Sequence, residues 1–187
     1  MYSFYKMCGI VAYIGSKPAR DILLEGLKRL EYRGYDSAGI AMLNGGVHVA
    51  RTMGRVSGLE ELVHQDENFN GTIGIAHTRW ATHGEPSERN AHPQSDDAKK
   101  GHGIQLVHNG IIENYLELKD SQIKQGYKFK SETDTEVIAN LIGSFLDKNY
   151  SIYEAIVNST NIMKGTWALV IIFINEPNKL YLSKNGS

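Results

Sequence analysis

Cys8 is the only cysteine in a chain of 187 residues, and it heads an apolar run, Gly9-Ile10-Val11-Ala12-Tyr13-Ile14, that closes on Gly15. A short run rich in β-branched side chains and ended by glycine reads as a buried strand, too brief for a helix. A chain that opens this way must bury a sheet. The cysteine admits two explanations. One is a small buried hydrophobe, the commoner fate of a lone cysteine in an apolar run. The other starts from Met7: if translation begins there and the methionine is removed, Cys8 carries a thiol and a free α-amine. An α-amine titrates at about 7.7–8.0 and a thiol at about 8.5, so one residue would hold a nucleophile and its own base.

The rest of the chain alternates between the two regular periods. Leu23, Leu27 and Leu30 recur at helical spacing, with Ser16 as a candidate cap and Pro18 in the first turn, and predict a helix over 18–31. Apolar runs at 38–43 and 47–52 flank Asn44-Gly45-Gly46, a hairpin signal. Leu59, Leu62 and Val63 suggest a short helix, and 71–77 another strand. Residues 78–103 read as one long polar loop without periodicity, a length that is usually functional. A strand over 104–108 ends at Asn109-Gly110. Helices are expected over 113–125, 134–146 and 152–163, and strands over 127–130, 167–174 and 180–183. Strands dominate the first half and helices gather later, which gives an α+β class with antiparallel pairing in a single domain.

Composition removes several function classes. Lys and Arg total 20 against 21 Asp and Glu. That balance lacks the basic excess of a dedicated nucleic-acid or membrane-surface protein. No apolar run approaches a bilayer span, residues 1–6 are too short and polar for a secretory signal, and one cysteine fits a reducing compartment. A cytoplasmic protein is expected, with no nucleic-acid and no membrane partner.

Four stretches besides Cys8 gather unusual residues at strand ends. Tyr32-Arg33-Gly34-Tyr35-Asp36-Ser37-Ala38-Gly39 is a surface turn by composition alone. His77-Thr78-Arg79-Trp80-Ala81-Thr82-His83-Gly84 sets an arginine beside a tryptophan, either a planar fork for a small carboxylate or a packed cation–π loop. Val107-His108-Asn109-Gly110 offers a side-chain amide and a glycine N–H as two donors for one developing oxyanion; the same pair also suits a tight turn. Ser131-Glu132-Thr133-Asp134-Thr135-Glu136 opens a helix and is mostly explained by capping, which leaves Asp134 available to a substrate ammonium. Five of the 7 histidines, His77, His83, His92, His102 and His108, fall in one window. None shows the i, i+4 spacing of a zinc motif, so no metal is expected and structural or substrate-lining roles are.

Taken together these stretches stop being independent. Met7-Cys8-Gly9-Ile10-Val11, the run from Leu30 through Ala41, the run from Gly74 through Gly84, Asn90-Ala91-His92-Pro93, Val107-His108-Asn109-Gly110 and the run from Ser131 through Glu136 occur in the order of one family. The chain resembles the glutaminase domain, a class II glutamine amidotransferase, of glutamine–fructose-6-phosphate aminotransferases (isomerizing). The Arg33–Gly39 and Thr78–Gly84 loops favour that enzyme over asparagine synthetase and phosphoribosyl-pyrophosphate amidotransferase. The resemblance implies the N-terminal-nucleophile hydrolase fold, a four-layer αββα sandwich of two antiparallel sheets between helical layers. It implies that Cys8 attacks the side-chain amide of L-glutamine, with its α-amine as base and Asn109 and Gly110 receiving the oxyanion. It further implies that Arg79 binds the α-carboxylate and Asp134 the α-ammonium, and that Trp80, Thr82 and His83 line the pocket on a closing loop. Arg33 would support the Cys8 neighbourhood. No cofactor is implied.

The same resemblance sets the expected boundaries. Residues 1–6 form an extension before a domain running over 7–187. The family's glutaminase domain continues further, and the isomerase half that would use the released ammonia lies outside this chain. Full-length members are expected to be homo-oligomers. An acylated Cys8 amine has no basic lone pair, so Met7 is the start, or the extension is cut off, or the site does not turn over. The alternatives are the glutaminase domain of a phosphoribosyl-pyrophosphate amidotransferase and a blocked module that binds glutamine without chemistry.

Overall fold

Strict alternation along the strands sorts their side chains into two faces, and the fold is the solution that buries both. The computed structural model describes residues 8–81, 84–98 and 100–186. Strands β1 (Gly9–Ile14), β2 (Ser37–Leu43), β3 (Val47–Met53) and β4 (Ile73–Arg79) form one sheet in the order β1-β4-β2-β3. Strands β5 (Gln94–Ser95), β6 (Ile104–Ile112), β7 (Gly165–Phe173) and β8 (Tyr181–Asn185) form a second in the order β5-β6-β7-β8. All these ladders are antiparallel. Helices α1 (Ala19–Leu30) and α2 (Val56–His64) cover the first sheet; α4 (Asp134–Asp147) and α5 (Ile152–Ile162) cover the second, with α3 (Tyr115–Lys124) against α4.

Three separate cores record the four layers. Ala38, Ile40 and Met42 of β2 face Leu23, Leu27, Leu59 and Val63 of the helices. The intervening Ala41 and Leu43 turn the other way, with Ile73 and Ile75 of β4, to meet Val107, Val170 and Ile172 of the second sheet. The far face of that sheet (Leu106, Ile112, Leu169, Ile171) packs on Ile138, Ile142 and Ala155. Each fully buried Leu or Ile contributes about 1.5–3 kcal/mol, so the period-two pattern fixes register strongly.

Several boundaries depart from the sequence expectation. The strand expected to end at Asn109-Gly110 continues to Ile112, with Asn109 paired to Ala168 and Gly110 to Trp167. The pair is strand, not turn. Gly110 has φ +132°, and a Cβ there would sit 2.1 Å from the Thr166 carbonyl oxygen; only glycine lets the ladder pass. No strand forms over 127–130, because the Lys128 carbonyl is taken by the Asn140 amide and the Tyr127 hydroxyl donates to Asp147. Helix α1 starts without a side-chain cap from Ser16: its N-cap is Pro18, and the Ala19 N–H goes to the Gly71 carbonyl at 2.8 Å.

The long polar segment after β4 is also more ordered than its lack of periodicity suggested. Thr78 and Arg79 belong to β4 itself, a 3-10 turn spans Glu88–Asn90, and β5 pairs with β6. Side chains replace backbone ladders here. Asn90 donates to the Glu85 carbonyl and the Glu132 carboxylate and accepts from the Glu132 N–H, and the Gln94 amide donates to the Arg89 and Ala91 carbonyls. Such bonds leave no periodic trace in a sequence.

Candidate active site

The parity that builds the core between the sheets also builds the site. Along β4 the interlayer residues Ile73 and Ile75 are followed at the same spacing by His77 and Arg79, and along β6 Val107 is followed by Asn109. Ile10 and Ala12 of β1 share this face, and Cys8 continues their parity. At one end of the sandwich the interlayer therefore changes from aliphatic to polar.

Cys8 is held by the segment that leaves β4. The Trp80 N–H donates to Cys8 Sγ at 3.2 Å, and the thiol donates to the Trp80 carbonyl at 3.5 Å. Burial pushes the thiol above its ordinary pKa; the Trp80 N–H and the Arg79 charge offset part of that, while Asp36 adds to it. The sulfur is thus a thiol at neutral pH and needs a base to become a nucleophile. Asn109 reaches the same residue from the other sheet, its Nδ2 donating to the Cys8 carbonyl at 3.2 Å. Its Oδ1 lies 2.8 Å from His77 Nε2.

Arg79 is 3% exposed. Its guanidinium donates to the Gly84 carbonyl at 3.1 Å and stands 3.8 Å from the Asp36 carboxylate. Burial lowers its pKa, and the charges of Asp36, Cys8 and Asp134 resist that fall. Asp36 also accepts from Ser37 Oγ and from the Ala81 N–H, so one carboxylate fixes both the arginine and the start of the loop. Gly84 has φ +75°, and a Cβ would stand 2.7 Å from the Asn90 amide nitrogen.

Asp134 is the first residue of α4. The turn before it is tightly satisfied: Thr133 Oγ1 accepts from the Glu136 N–H, and the Glu136 carboxylate accepts from the Lys130 and Ser131 N–H groups. That cap holds Asp134, whose Oδ2 accepts from the Ile112 N–H at 3.0 Å and whose Oδ1 lies 3.7 Å from His108 Nδ1. A buried cation at the end of β4 and a buried carboxylate at the start of α4 thus lie close enough for the charge of Asp134 to act on Arg79.

Three buried histidines, His77, His92 and His108, cluster near Arg79 and Asp134. The rings of His77 and His92 lie 4.4 Å apart, and Thr135 Oγ1 is 2.6 Å from His92 Nε2 and 3.2 Å from His108 Nδ1. Burial drops the pKa of His77 to about 4 against a weaker pull from its Asn109 bond. Burial and the other positive groups around it push His92 well below its ordinary value. Gly39 of β2 makes room for this loop, since a Cβ there would meet the His92 carbonyl oxygen at 2.1 Å. Among the described residues no cluster of His, Cys, Asp and Glu could hold a metal ion.

The chain thus brings together Cys8, Asn109, Gly110, Arg79, the Trp80 backbone and Asp134. Thr82 and His83 lie outside the described residues. Arg33 ends the 3-10 turn Glu31–Arg33 and lines, with Gly9, Asn109, Leu182 and Lys184, a cleft of about 430 Å³ that Arg79 and Asp134 do not reach; its cation lies 5.9 Å from the Tyr32 ring centre. Sequence reasoning took the Asp36 segment for a surface turn and gave no individual role to Asp36, His77, His92, His108 or Thr135. The crowding of histidines before residue 108 was the available signal.

The chain is similar to proteins already known. Over 182 residues, 97% of the chain, it is 50% identical to the glutamine–fructose-6-phosphate aminotransferase (isomerizing) of Clostridium acetobutylicum, covering 29% of that protein. The enzyme of that name from Thermococcus kodakarensis is likewise 50% identical over 97% of the chain and is covered to 30%. The chain thus spans less than a third of the length of these relatives. The glutamine phosphoribosylpyrophosphate amidotransferase of B. subtilis, solved with ADP and GMP, matches 88% of the chain and 35% of its own at 28% identity, with a TM-score of 0.74. A glutamine aminotransferase class-II domain protein of Silicibacter pomeroyi, at 15% identity and a TM-score of 0.54, shares the fold. The fold is that of the N-terminal-nucleophile hydrolases, as the resemblance implied. Residues 77–186 match the glutamine amidotransferase domain family, and the chain belongs to it.

Proposed function

We propose that the domain hydrolyses the side-chain amide of L-glutamine to glutamate and ammonia through Cys8. The observation that carries this reading is the Asn109 amide, which donates to the Cys8 carbonyl while the Trp80 N–H holds the Cys8 sulfur. The α-amine of Cys8, freed when residue 7 is removed, takes the thiol proton as sulfur attacks the amide carbon. The oxyanion is received by the second Nδ2 hydrogen of Asn109 and by the Gly110 N–H; such a donor is worth about 3–4 kcal/mol in the transition state. The same amine returns its proton to the departing nitrogen, ammonia leaves, and water hydrolyses the thioester. Arg79 takes the α-carboxylate and Asp134 the α-ammonium, with Trp80, Thr82 and His83 closing over the substrate and Arg33 supporting the approach to Cys8.

The 50% identity to aminotransferases supports fructose 6-phosphate as the acceptor of the ammonia, bound by an isomerase half such as those proteins' names describe. The test is release of glutamate from glutamine by protein that begins at Cys8, by protein that retains residues 1–7, and by Cys8→Ala. Turnover only in the first supports the proposal. Turnover in Cys8→Ala would sink it, and glutamine binding without turnover in the first would favour a binding module.

A further inference from the structure

Asn109 can serve as a donor to an oxyanion only while its amide is held the right way round. The Asn109 side chain has two ends of similar size and opposite character: an NH2 that only donates and an oxygen that only accepts. Nδ2 faces the Cys8 carbonyl oxygen at 3.2 Å, and that oxygen can only accept. Oδ1 therefore faces His77 Nε2 at 2.8 Å, and Nε2 must carry the hydrogen. The opposite tautomer, with hydrogen on Nδ1, would set two acceptors against each other. Turning the amide over would then put Oδ1 against the Cys8 carbonyl and against any oxyanion formed there.

We propose that His77, as its neutral Nε2–H tautomer, is a positioning residue that fixes the amide orientation of Asn109 and so makes the oxyanion site a donor. Its side-chain hydrogen bond goes to Asn109, so it acts through that residue. The ring is itself held: it is 1% exposed, lies 4.4 Å from the ring of His92, and through His92 Nε2 and Thr135 Oγ1 is tied to the first turn of α4. With its pKa at about 4, the buried ring carries no second proton at neutral pH, so Nδ1 stays bare while Nε2 holds the hydrogen. Positioning of this kind matters because a buried donor aimed wrongly is worse than none.

The inference rests on the glutaminase reading for its kinetic arm, but its first test does not. Nitrogen-15 NMR of the ring in the full chain at pH 7 should report hydrogen on Nε2 and not on Nδ1; an Nδ1–H ring would overturn the proposal whatever the activity. In protein that turns over glutamine, His77→Phe keeps a ring and removes the donor, whereas His77→Gln places an amide N–H close to where Nε2 stood. The expected result is a fall in kcat of roughly tenfold or more for His77→Phe with KM changed about twofold at most, and substantial recovery in His77→Gln. In an Asn109→Ala background, His77→Phe should cost nothing further. Equal losses in both His77 variants, or a full additional loss in the Asn109→Ala background, would overturn it. Absence of turnover in the unsubstituted protein would instead count against the glutaminase reading and leave the tautomer measurement to decide this one.

Discussion

The Trp80 N–H donates to the Cys8 sulfur at 3.2 Å, binding the end of β4 to the start of β1 at the chain's single cysteine. The next residue, Ala81, gives its N–H to Asp36 at the mouth of β2. Three neighbouring strands of the first sheet are thus pinned at a common end, and the sulfur sits where they meet.

Burial raises the Cys8 thiol, and this has a direct readout. Alkylation by a small neutral reagent, in protein that retains residues 1–7, should accelerate with pH through a midpoint above the value of an ordinary thiol. A midpoint at or below that value would show the Trp80 and Arg79 contributions outweighing burial.

Arg79→Lys keeps the charge and loses the planar fork. If the guanidinium holds the substrate carboxylate, KM for glutamine should rise about 10–100-fold with a smaller change in kcat. An unchanged KM in steady-state glutaminase assays would remove Arg79 from the binding site.

His77 makes stability depend on pH in a defined direction. Its pKa is about 4 when folded and 6.5 when not. Between those values the unfolded chain binds the proton and the folded chain does not, so stability is fully present above pH 6.5 and falls as pH drops toward 4. One such group is worth about 3 kcal/mol over the window. Urea unfolding of the parent and of His77→Phe across pH 4–7 should show the variant with the flatter profile; parallel profiles would contradict the buried neutral imidazole.

Gly110→Ala should be among the most damaging single-methyl additions in the chain. The new Cβ would meet the Thr166 carbonyl oxygen at 2.1 Å, whereas at Gly101, with φ +62°, it would meet nothing within 4 Å. Gly101→Ala should cost about 1 kcal/mol, the price of a left-handed alanine, and Gly110→Ala several times that or the fold itself. Thermal unfolding of the two variants gives the comparison, and equal melting temperatures would refute it.

Local chemistry carried much of this protein. The apolar alternation of β2, the leucine spacing of α1 and the Asn44-Gly45-Gly46 hairpin are short-range signals, and they located most elements to within a few residues. The order of motifs gave the family and a set of candidate site residues, because each of them sits in a short contiguous stretch of unusual composition. The tertiary structure decided what depends on a partner far along the chain. Asn109-Gly110 is turn-forming in isolation and becomes strand because β7 lies beside it with room only for glycine. Asp36 reads as surface until Arg79 and Ala81 are folded against it. His77, His92 and Thr135 look unrelated until a strand, a loop and a helix bring them within contact distance. Propensity and period act over a turn or a strand, whereas a buried polar network exists only once the layers have closed and its members have no water left to bond.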